Sequence, residues 1–182
     1  MRSYLWAMAL GVLGAGLVHI AVLLLVPVYS DHNAWSRLAA YGPEDEFHII
    51  DRNDAAEGQT RQIDPLFEMA ACRFDLDDGP MHISASGDVP FWSISVYSRV
   101  GENVYSFNDR TAIDGQLDLV LAQPLQHIEL KKSPPPEIAQ SIIAETDIAK
   151  GFIVVRGFVP DESWRSTVTD FLKGGRCVPV SS

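Results

Sequence analysis

The first thirty residues of this chain almost lack charge, and Arg2 is the only charged side chain among them. No charged residue occurs in the 24 positions from Leu5 to Val28. At a rise of 1.5 Å per residue, a helix of this length reaches about 36 Å, which is enough to cross the hydrocarbon core of a membrane with a modest tilt. The absence of charge therefore predicts a transmembrane helix within residues 1–30.

The apolar run also lacks the features of a cleaved export signal. Such a signal has an apolar core of about 7 to 15 residues and a small-x-small cleavage site behind it. Here the run is longer and ends in Val26-Pro27-Val28-Tyr29-Ser30, so we expect an uncleaved signal anchor. Arg2 lies before the run and Asp31 follows it, so the positive-inside rule predicts a cytoplasmic N-terminus. The predicted location is a bacterial inner membrane, with the rest of the chain in the periplasm.

Basic side chains are scarce beyond the anchor. The predicted exported part contains 13 lysines and arginines against 24 aspartates and glutamates, a formal net charge of −11. An acidic surface of this kind repels nucleic acid and anionic lipid headgroups. The composition therefore argues against a nucleic-acid-binding domain and favours a soluble domain held at a membrane by its N-terminal helix.

Cysteine is rare, and the two that occur, Cys72 and Cys177, are too far apart for a local C-x-x-C redox site. Two interpretations stay open, because sequence spacing does not give geometry: an intrachain disulfide formed in an oxidising compartment, or two buried free thiols. A bridge would close a loop of about 100 residues and stabilise the fold by about 3 to 5 kcal/mol.

Motifs for metal or nucleophilic chemistry are lacking as well. The histidines of the exported part occur singly, without H-x-x-H or H-E-x-x-H spacing and without a cysteine pair nearby, so no metal site and no cofactor is predicted. The chain has no G-x-S-x-G nucleophile elbow. The sequence therefore favours a role other than catalysis.

The remainder of the chain divides into a short stalk and one domain. Asp31 predicts the start of a short helix that Tyr41-Gly42-Pro43 ends, so we expect a stalk helix over residues 31–43. We expect a break in the membrane helix near Pro27, before this stalk. Residues 44–182 have the length of a single domain and show no internal repeat.

Alternation of apolar and polar residues with a period of two predicts antiparallel strands across the middle of this domain. The turn Asp77-Asp78-Gly79-Pro80 predicts a hairpin between the first two strands. Pro124 interrupts the pattern before its last segment. The predicted strands are Phe74–Leu76, Met81–Ala85, Phe91–Ser98, Val104–Phe107, Leu117–Leu121 and His127–Leu130.

The C-terminal third predicts a central strand and a packed helix. Residues 137–148 fit either a helix or a strand, whereas Gly151–Val159 is apolar on both faces and predicts a buried strand. A helix with one apolar stripe follows, formed by Trp164, Val168, Phe171 and Leu172. The predicted fold class is mainly β (α+β): a transmembrane helix, then an antiparallel β-sandwich-like domain with a C-terminal packed helix.

One ridge of the predicted transmembrane helix combines small residues with a histidine. Ala7, Gly11, Ala15 and His19 recur every four residues, so a second helix could approach this ridge closely. The imidazole of His19 is polar in hydrocarbon and needs a hydrogen-bond partner there. We expect a transmembrane partner, either another protein or a second copy, and the alternative is a lone anchor with incidental small residues.

A second group of polar and aromatic side chains surrounds one predicted hairpin. With Arg99 or Arg110 as a bidentate clamp for a carboxylate or phosphate, the group could line a ligand groove. Ordinary turn chemistry explains the same residues and is the preferred interpretation. The candidate ligand-binding residues are Tyr97, Arg99, Tyr105, Asn108, Asp109 and Arg110.

Five segments resemble a known family. Phe91–Tyr97 and Asn103–Arg110 are similar to a strand pair of the domain-of-unknown-function 1254 family, and Val18–Ala21, Ala71–Leu76 and Gly151–Trp164 resemble its short, membrane-anchored bacterial members. The resemblance implies an exported β-rich domain and no catalytic residue, since the family's activity is not established. In larger members a similar domain is joined to a second one, which implies that a short form associates with a separate counterpart.

These observations lead to one preferred function and one alternative. We predict an envelope protein that acts as an interaction or accessory module with a membrane partner. The alternative is an envelope enzyme or binding protein for a lipid, glycan or peptide, with its site beside the hairpin from Tyr97 to Arg110. A cleft holding Arg99 or Arg110 beside a histidine would favour the alternative, and a flat surface there would favour the module.

Overall fold

The computed structural model of the protein describes residues 2–29, 34–50 and 64–180, which fall into two units. The first unit contains a single helix, α1 (Arg2–Tyr29), and the second begins at Ala34 and contains all other elements. The helix cap predicted at Asp31 lies outside the described residues.

Helix α1 is long and apolar enough to cross a membrane. Its segment Ser3–Leu25 has a mean hydropathy of 2.4, and its side chains are exposed throughout. The helix continues through Pro27 and ends at Tyr29, two residues beyond the proline near which a break was expected, and a separate helix begins at Ala34. Pro27 lies in the last turn, where the loss of one backbone N–H donor interrupts few of the remaining helical hydrogen bonds.

The second unit contains two packed β-sheets, and the predicted fold class is confirmed. The five-stranded sheet has the order β1-β2-β8-β4-β5 and is antiparallel throughout. The four-stranded sheet has the order β7-β6-β3-β9 and is antiparallel except for the pair β6–β7, which is parallel. The strands are β1 (His48–Ile49), β2 (Phe67–Asp75), β3 (Met81–Ala85), β4 (Trp92–Ser98), β5 (Asn103–Asn108), β6 (Leu117–Ala122), β7 (Ile142–Glu145), β8 (Lys150–Phe158) and β9 (Arg176–Pro179).

The hairpin predicted across Asp77–Pro80 is wrong. Strand β2, before the turn, pairs with β1 and β8 in the five-stranded sheet, whereas β3, after it, pairs with β6 and β9 in the four-stranded sheet. The turn therefore leads the chain from one sheet to the other. Gly79 adopts φ +138°, a conformation that glycine tolerates at such a change of direction.

The core lies between the two sheets and is closed by a disulfide. Alternate residues of the central strands point inward, and Phe74, Ile94, Leu119 and Ile153 are fully buried there. Cys72 on β2 and Cys177 on β9 are both buried in this core and form a disulfide, with 6.6 Å between their Cα atoms. The bridge therefore joins one sheet to the other.

Helices among the described residues complete the second unit. The predicted C-terminal helix is present as a 3-10 turn (Glu162–Trp164) followed by α4 (Arg165–Lys173), which buries Val168, Phe171 and Leu172. Helix α2 (Ala34–Leu38) lies within the region predicted as a stalk, and its Trp35 and Leu38 are buried against the outer face of the five-stranded sheet.

The structure assigns two further segments for which the sequence pattern gave a wrong or an open prediction. The strand predicted at His127–Leu130 is wrong, because Pro124 begins helix α3 (Pro124–Lys132). Proline suits the first turn of a helix, where its missing N–H costs no hydrogen bond. Within residues 137–148 the strand alternative is correct for β7, and a 3-10 turn (Pro136–Ile138) precedes it.

Candidate functional site

The small-residue ridge of α1 is fully accessible. Ala7, Gly11, Ala15 and His19 are all exposed, and a Cβ atom added to Gly11 would meet no atom within 4 Å. Residues four apart differ by about 40° around a helix, so the ridge drifts slowly across one side of α1. The ridge is thus accessible, as is every side of α1 from Ser3 to Leu25.

The hairpin formed by β4 and β5 separates the two tyrosines that were predicted to bind a ligand. Tyr105 pairs with Val96 and packs toward the core, with its ring centroid 5.9 Å from that of Phe107. Tyr97 projects to the outer face of the five-stranded sheet, where it stacks on Phe152 at 5.1 Å between ring centroids. The two tyrosines therefore cannot line one groove.

The remaining four candidates lie at the two ends of the hairpin. Arg99 is exposed beside the turn between the strands, whereas Asn108 is the last residue of β5 and is followed by Asp109 and Arg110. There the Asn108 side chain accepts a hydrogen bond from the backbone N–H of Arg110 at 3.1 Å, as in ordinary turn chemistry. The six predicted residues are thus distributed over two faces and two ends, and their role in ligand binding stays a prediction.

The structure pairs Tyr97 with a residue that sequence analysis missed, Arg156 on β8. The Arg156 guanidinium lies 3.4 Å from the Tyr97 hydroxyl and 3.4 Å from the Ser95 hydroxyl, and it donates to both. Among the described residues, no carboxylate lies within 4.0 Å of Arg156. A guanidinium beside a phenol and a serine hydroxyl forms a surface that can bind an anionic group.

The environment of Tyr97 changes its acidity. Burial is the largest single influence and raises the pKa of the phenol. Hydrogen bonds from Arg156 and Ser95, together with the positive charge of Arg156, act in the opposite direction and prevail, so the pKa of Tyr97 lies below its usual value of 10.0. Tyr97 is therefore polarised by its neighbour on β8.

A cleft of about 560 Å³ lies beside the end of the hairpin. It is lined by acidic side chains of Asp88, Asp109 and Asp114 and by the indole of Trp92, whose N–H donates to the Gly115 carbonyl at 2.8 Å. One carboxylate oxygen of Asp109, Oδ1, is buried and has no hydrogen-bond partner among the described residues. Neither arginine nor histidine lines this cleft, so it is unsuited to clamp a carboxylate or phosphate.

Within 2–29, 34–50 and 64–180, no group of three or more histidine, cysteine, aspartate or glutamate side chains is placed to hold a metal ion.

Comparison with known proteins gives similarity at the level of fold. No family model and no curated protein matches the chain, so the sequence resemblance to the domain-of-unknown-function 1254 family gains no support from a family model. The VPA0106 protein of Vibrio parahaemolyticus superposes with a TM-score of 0.61 at 11% identity, over 80% of this chain and 33% of that one. An uncharacterised protein of Burkholderia cenocepacia superposes with a TM-score of 0.52 at 15% identity, over 79% of this chain and 37% of that one. The chain spans about a third of the length of these proteins, and the likeness to each shows a shared fold.

Proposed function

We propose that this protein is a single-pass, membrane-anchored module of the bacterial envelope that associates with a membrane partner through α1. The observation that carries the proposal is the exposed ridge of Ala7, Gly11, Ala15 and His19 on a helix long enough to span a bilayer. Small residues let helix backbones approach closely in lipid, where packing and hydrogen bonds replace the hydrophobic effect as the driving force.

His19 is the reason to prefer a partner over a lone anchor. An imidazole exposed to hydrocarbon lacks the water that would satisfy its N–H and its acceptor nitrogen, whereas a polar group on a facing helix supplies a hydrogen bond. His19 lies in line with the small residues, so one contact would satisfy both features. The partner is either a different membrane protein or a second copy of this chain.

The orientation follows from charge and redox chemistry. Arg2 is the only charged residue before position 31, which favours a cytoplasmic N-terminus. The Cys72–Cys177 disulfide favours an oxidising compartment for the second unit. Together they support an inner-membrane protein with a periplasmic domain.

The experiment is co-purification of the full chain from membranes in mild detergent, with mass spectrometry of what is retained. We expect a stoichiometric partner, or a defined homo-oligomer, in the unaltered protein and its loss in the double variant Gly11→Leu, His19→Leu. The matched control is Ala9→Leu, a small-to-large change about 140° around the helix from the middle of the ridge. The proposal fails if the double variant retains every association, or if the control loses as much as the double variant.

A second candidate function rests on the pair Tyr97 and Arg156. A guanidinium without a carboxylate partner among the described residues, beside a polarised phenol, favours binding of a carboxylate or phosphate group of a lipid, glycan or peptide. Titration of the full chain with acetate and with inorganic phosphate should shift the NMR signals of the Tyr97 ring. Arg156→Gln should abolish the shift and Arg99→Gln should not. A shift that survives Arg156→Gln would exclude this site.

A further inference from the structure

The outer face of the four-stranded sheet carries a cluster of charged and polar side chains that is separate from everything described above. Strand register places Ser84 on β3 directly between Arg176 on β9 and Asp118 on β6. His82, two residues before Ser84, projects from the same face. Side chains from three strands thus converge on one patch.

Hydrogen bonds hold the middle of this cluster in place. One oxygen of Asp118, Oδ1, accepts from His82 Nε2 at 2.8 Å and from the Ser141 hydroxyl at 2.6 Å. The His82 side chain retains only 19% of its exposure. The carboxylate of Asp118 is therefore already engaged within the protein, and the imidazole of His82 is fixed in orientation.

Two cavities open beside the cluster and share part of their lining. The first, which we name the polar cavity, measures about 290 Å³, and its lining includes His82, Ser84, Arg176 and Glu137. The second, the apolar cavity, measures about 740 Å³; Pro80, Leu130, Val180 and the three prolines 134–136 form most of its lining, and Gln126, Glu129 and Ser133 add polar groups. Glu137 and Val180 line both cavities, and we call the two together the groove.

The charges in the polar cavity are opposite and unpaired with each other. Arg176 and Glu137 are both exposed, and no ion pair within 4.0 Å joins either of them to a described residue. Two opposite charges that face one cavity without meeting are complementary to a ligand that carries both signs. A purely anionic ligand would meet the repulsion of Glu137 and of the acidic domain as a whole.

We propose that this groove binds a zwitterionic amphiphile of the phosphoethanolamine class. Arg176 binds the phosphate, Glu137 binds the ammonium group, and the acyl chain lies along the apolar cavity against Leu130, Val180 and prolines 134–136. The volumes of the two cavities suit a ligand of that kind, since small-molecule sites measure about 300 to 1,000 Å³. The site lies wholly within the second unit, so it is independent of any association through α1.

The experiment is native mass spectrometry of the full chain released from a non-ionic detergent. Phosphatidylethanolamine and phosphatidylglycerol with identical acyl chains are added in equal amounts, so that only the ammonium group distinguishes the two probes. We expect preferential retention of phosphatidylethanolamine. Arg176→Gln and Glu137→Gln should each lower its retention by about tenfold, the effect of losing one charge-assisted hydrogen bond. Arg176→Lys, which keeps the charge, should lose less.

Controls separate this groove from lipid held elsewhere. Lys173→Gln at the end of α4 and Glu102→Gln at the exposed turn between β4 and β5 each remove one charge from a residue that lines neither cavity, and both variants should retain the lipid as the unaltered protein does. Glu137→Gln should also raise the retention of phosphatidylglycerol, because it removes the repulsion. Phosphatidylethanolamine retention that is insensitive to Arg176→Gln and to Glu137→Gln would place the lipid outside the groove and overturn the proposal. Equal retention of the two lipids by the unaltered protein would also overturn it.

Discussion

At the scale of single residues, the ion pair of Asp75 and Lys150 couples the fold to pH. The two side chains are paired across β2 and β8, with 2.5 Å between Lys150 Nζ and Asp75 Oδ2. The hydrogen bond from Lys150 is the largest influence and lowers the pKa of Asp75 below its usual 3.8, against a smaller opposing effect of burial. A carboxyl whose pKa is lower in the folded state stabilises the fold above its unfolded-state pKa.

We therefore predict that acid removes a part of the stability that depends on Asp75. The free energy of unfolding should fall as the pH drops below about 4, the unfolded-state pKa of aspartate, and the loss is complete once the folded carboxyl is protonated. Urea unfolding at a series of pH values measures this. Asp75→Asn should flatten the curve, whereas the exposed control Asp147→Asn should leave its slope unchanged. Parallel curves for Asp75→Asn and the unaltered chain would contradict the prediction.

Tyr97 gives a second prediction at this scale. Removal of the guanidinium in Arg156→Gln deletes a hydrogen bond and a positive charge while burial persists, so the pKa of Tyr97 should rise. NMR titration of the tyrosine rings measures the change. Arg99→Gln, which removes an exposed arginine from the neighbouring turn, should leave the pKa of Tyr97 unchanged. An unchanged pKa of Tyr97 in Arg156→Gln would exclude the coupling between Tyr97 and Arg156.

The sequence alone could not predict that Asp75 pairs with Lys150 or that Tyr97 pairs with Arg156. Period-two alternation places Tyr97 on a strand and assigns it a face, whereas the segment that became β8 is apolar on both faces, so its pattern assigns no face to Arg156. Alternation does not tell which strands are neighbours, and β4 and β8 are far apart in the chain although adjacent in the sheet. Strand order arises from the packing of whole sheets, so long-range pairs such as Asp75 with Lys150 need the structure.

At the scale of secondary structure elements, predictions from sequence were correct where neighbouring residues alone determine the structure, and wrong where strand pairing between distant segments determines it. The C-terminal helix was predicted correctly because its apolar stripe has the helical period and its start is capped by Asp161, which accepts from the Ser163 N–H at 2.9 Å. The hairpin across Asp77–Pro80 was predicted wrongly because the same turn residues serve equally well to change sheets. Neighbouring residues determine the turn itself, whereas pairing with distant strands determines which sheet each flanking strand joins.

Close packing of α4 on β8 gives a prediction for this scale. Gly157 lies so near α4 that an added Cβ would fall 2.4 Å from a methyl carbon of Val168, which is fully buried. Gly157→Ala should therefore lower the free energy of unfolding by about 1 to 3 kcal/mol, the usual range for overpacking. Chemical denaturation of the full chain in detergent measures the change.

A double-variant cycle tests whether that clash is the cause. Val168→Ala removes the methyl groups that meet the new side chain, at the cost of a small cavity. The combined variant Gly157→Ala, Val168→Ala should be more stable than the sum of the two single changes implies. If the changes in the free energy of unfolding were simply additive, the effect of Gly157→Ala would come from the backbone of β8 and not from contact with Val168.

At the scale of the whole molecule, the Cys72–Cys177 bridge determines how the two sheets are held together. The cysteines are 105 residues apart and belong to different sheets. Reduction of the bridge leaves every side chain in place but frees the unfolded chain from a long closed loop. We predict a loss of about 3 to 5 kcal/mol from the free energy of unfolding, by the chain-entropy model.

Comparison of the oxidised protein, the reduced protein and the variant Cys72→Ala, Cys177→Ala by denaturant unfolding checks this prediction. The reduced protein isolates the bridge, and the double variant adds the loss of two buried sulfur atoms, so it should be the least stable of the three. Oxidised and reduced forms with the same midpoint would show that the unfolded chain is not constrained by the loop.

The same bridge also determines the mechanical behaviour of the chain. A pulling force applied between α1 and the C-terminal end passes along the covalent backbone to Cys72, across the sulfur atoms to Cys177, and onward. The residues between the two cysteines, which include most strands of both sheets, then carry no tension along their backbone. Under load the oxidised second unit can extend only outside this loop, so the disulfide limits how far the chain can be stretched before the bridge itself breaks.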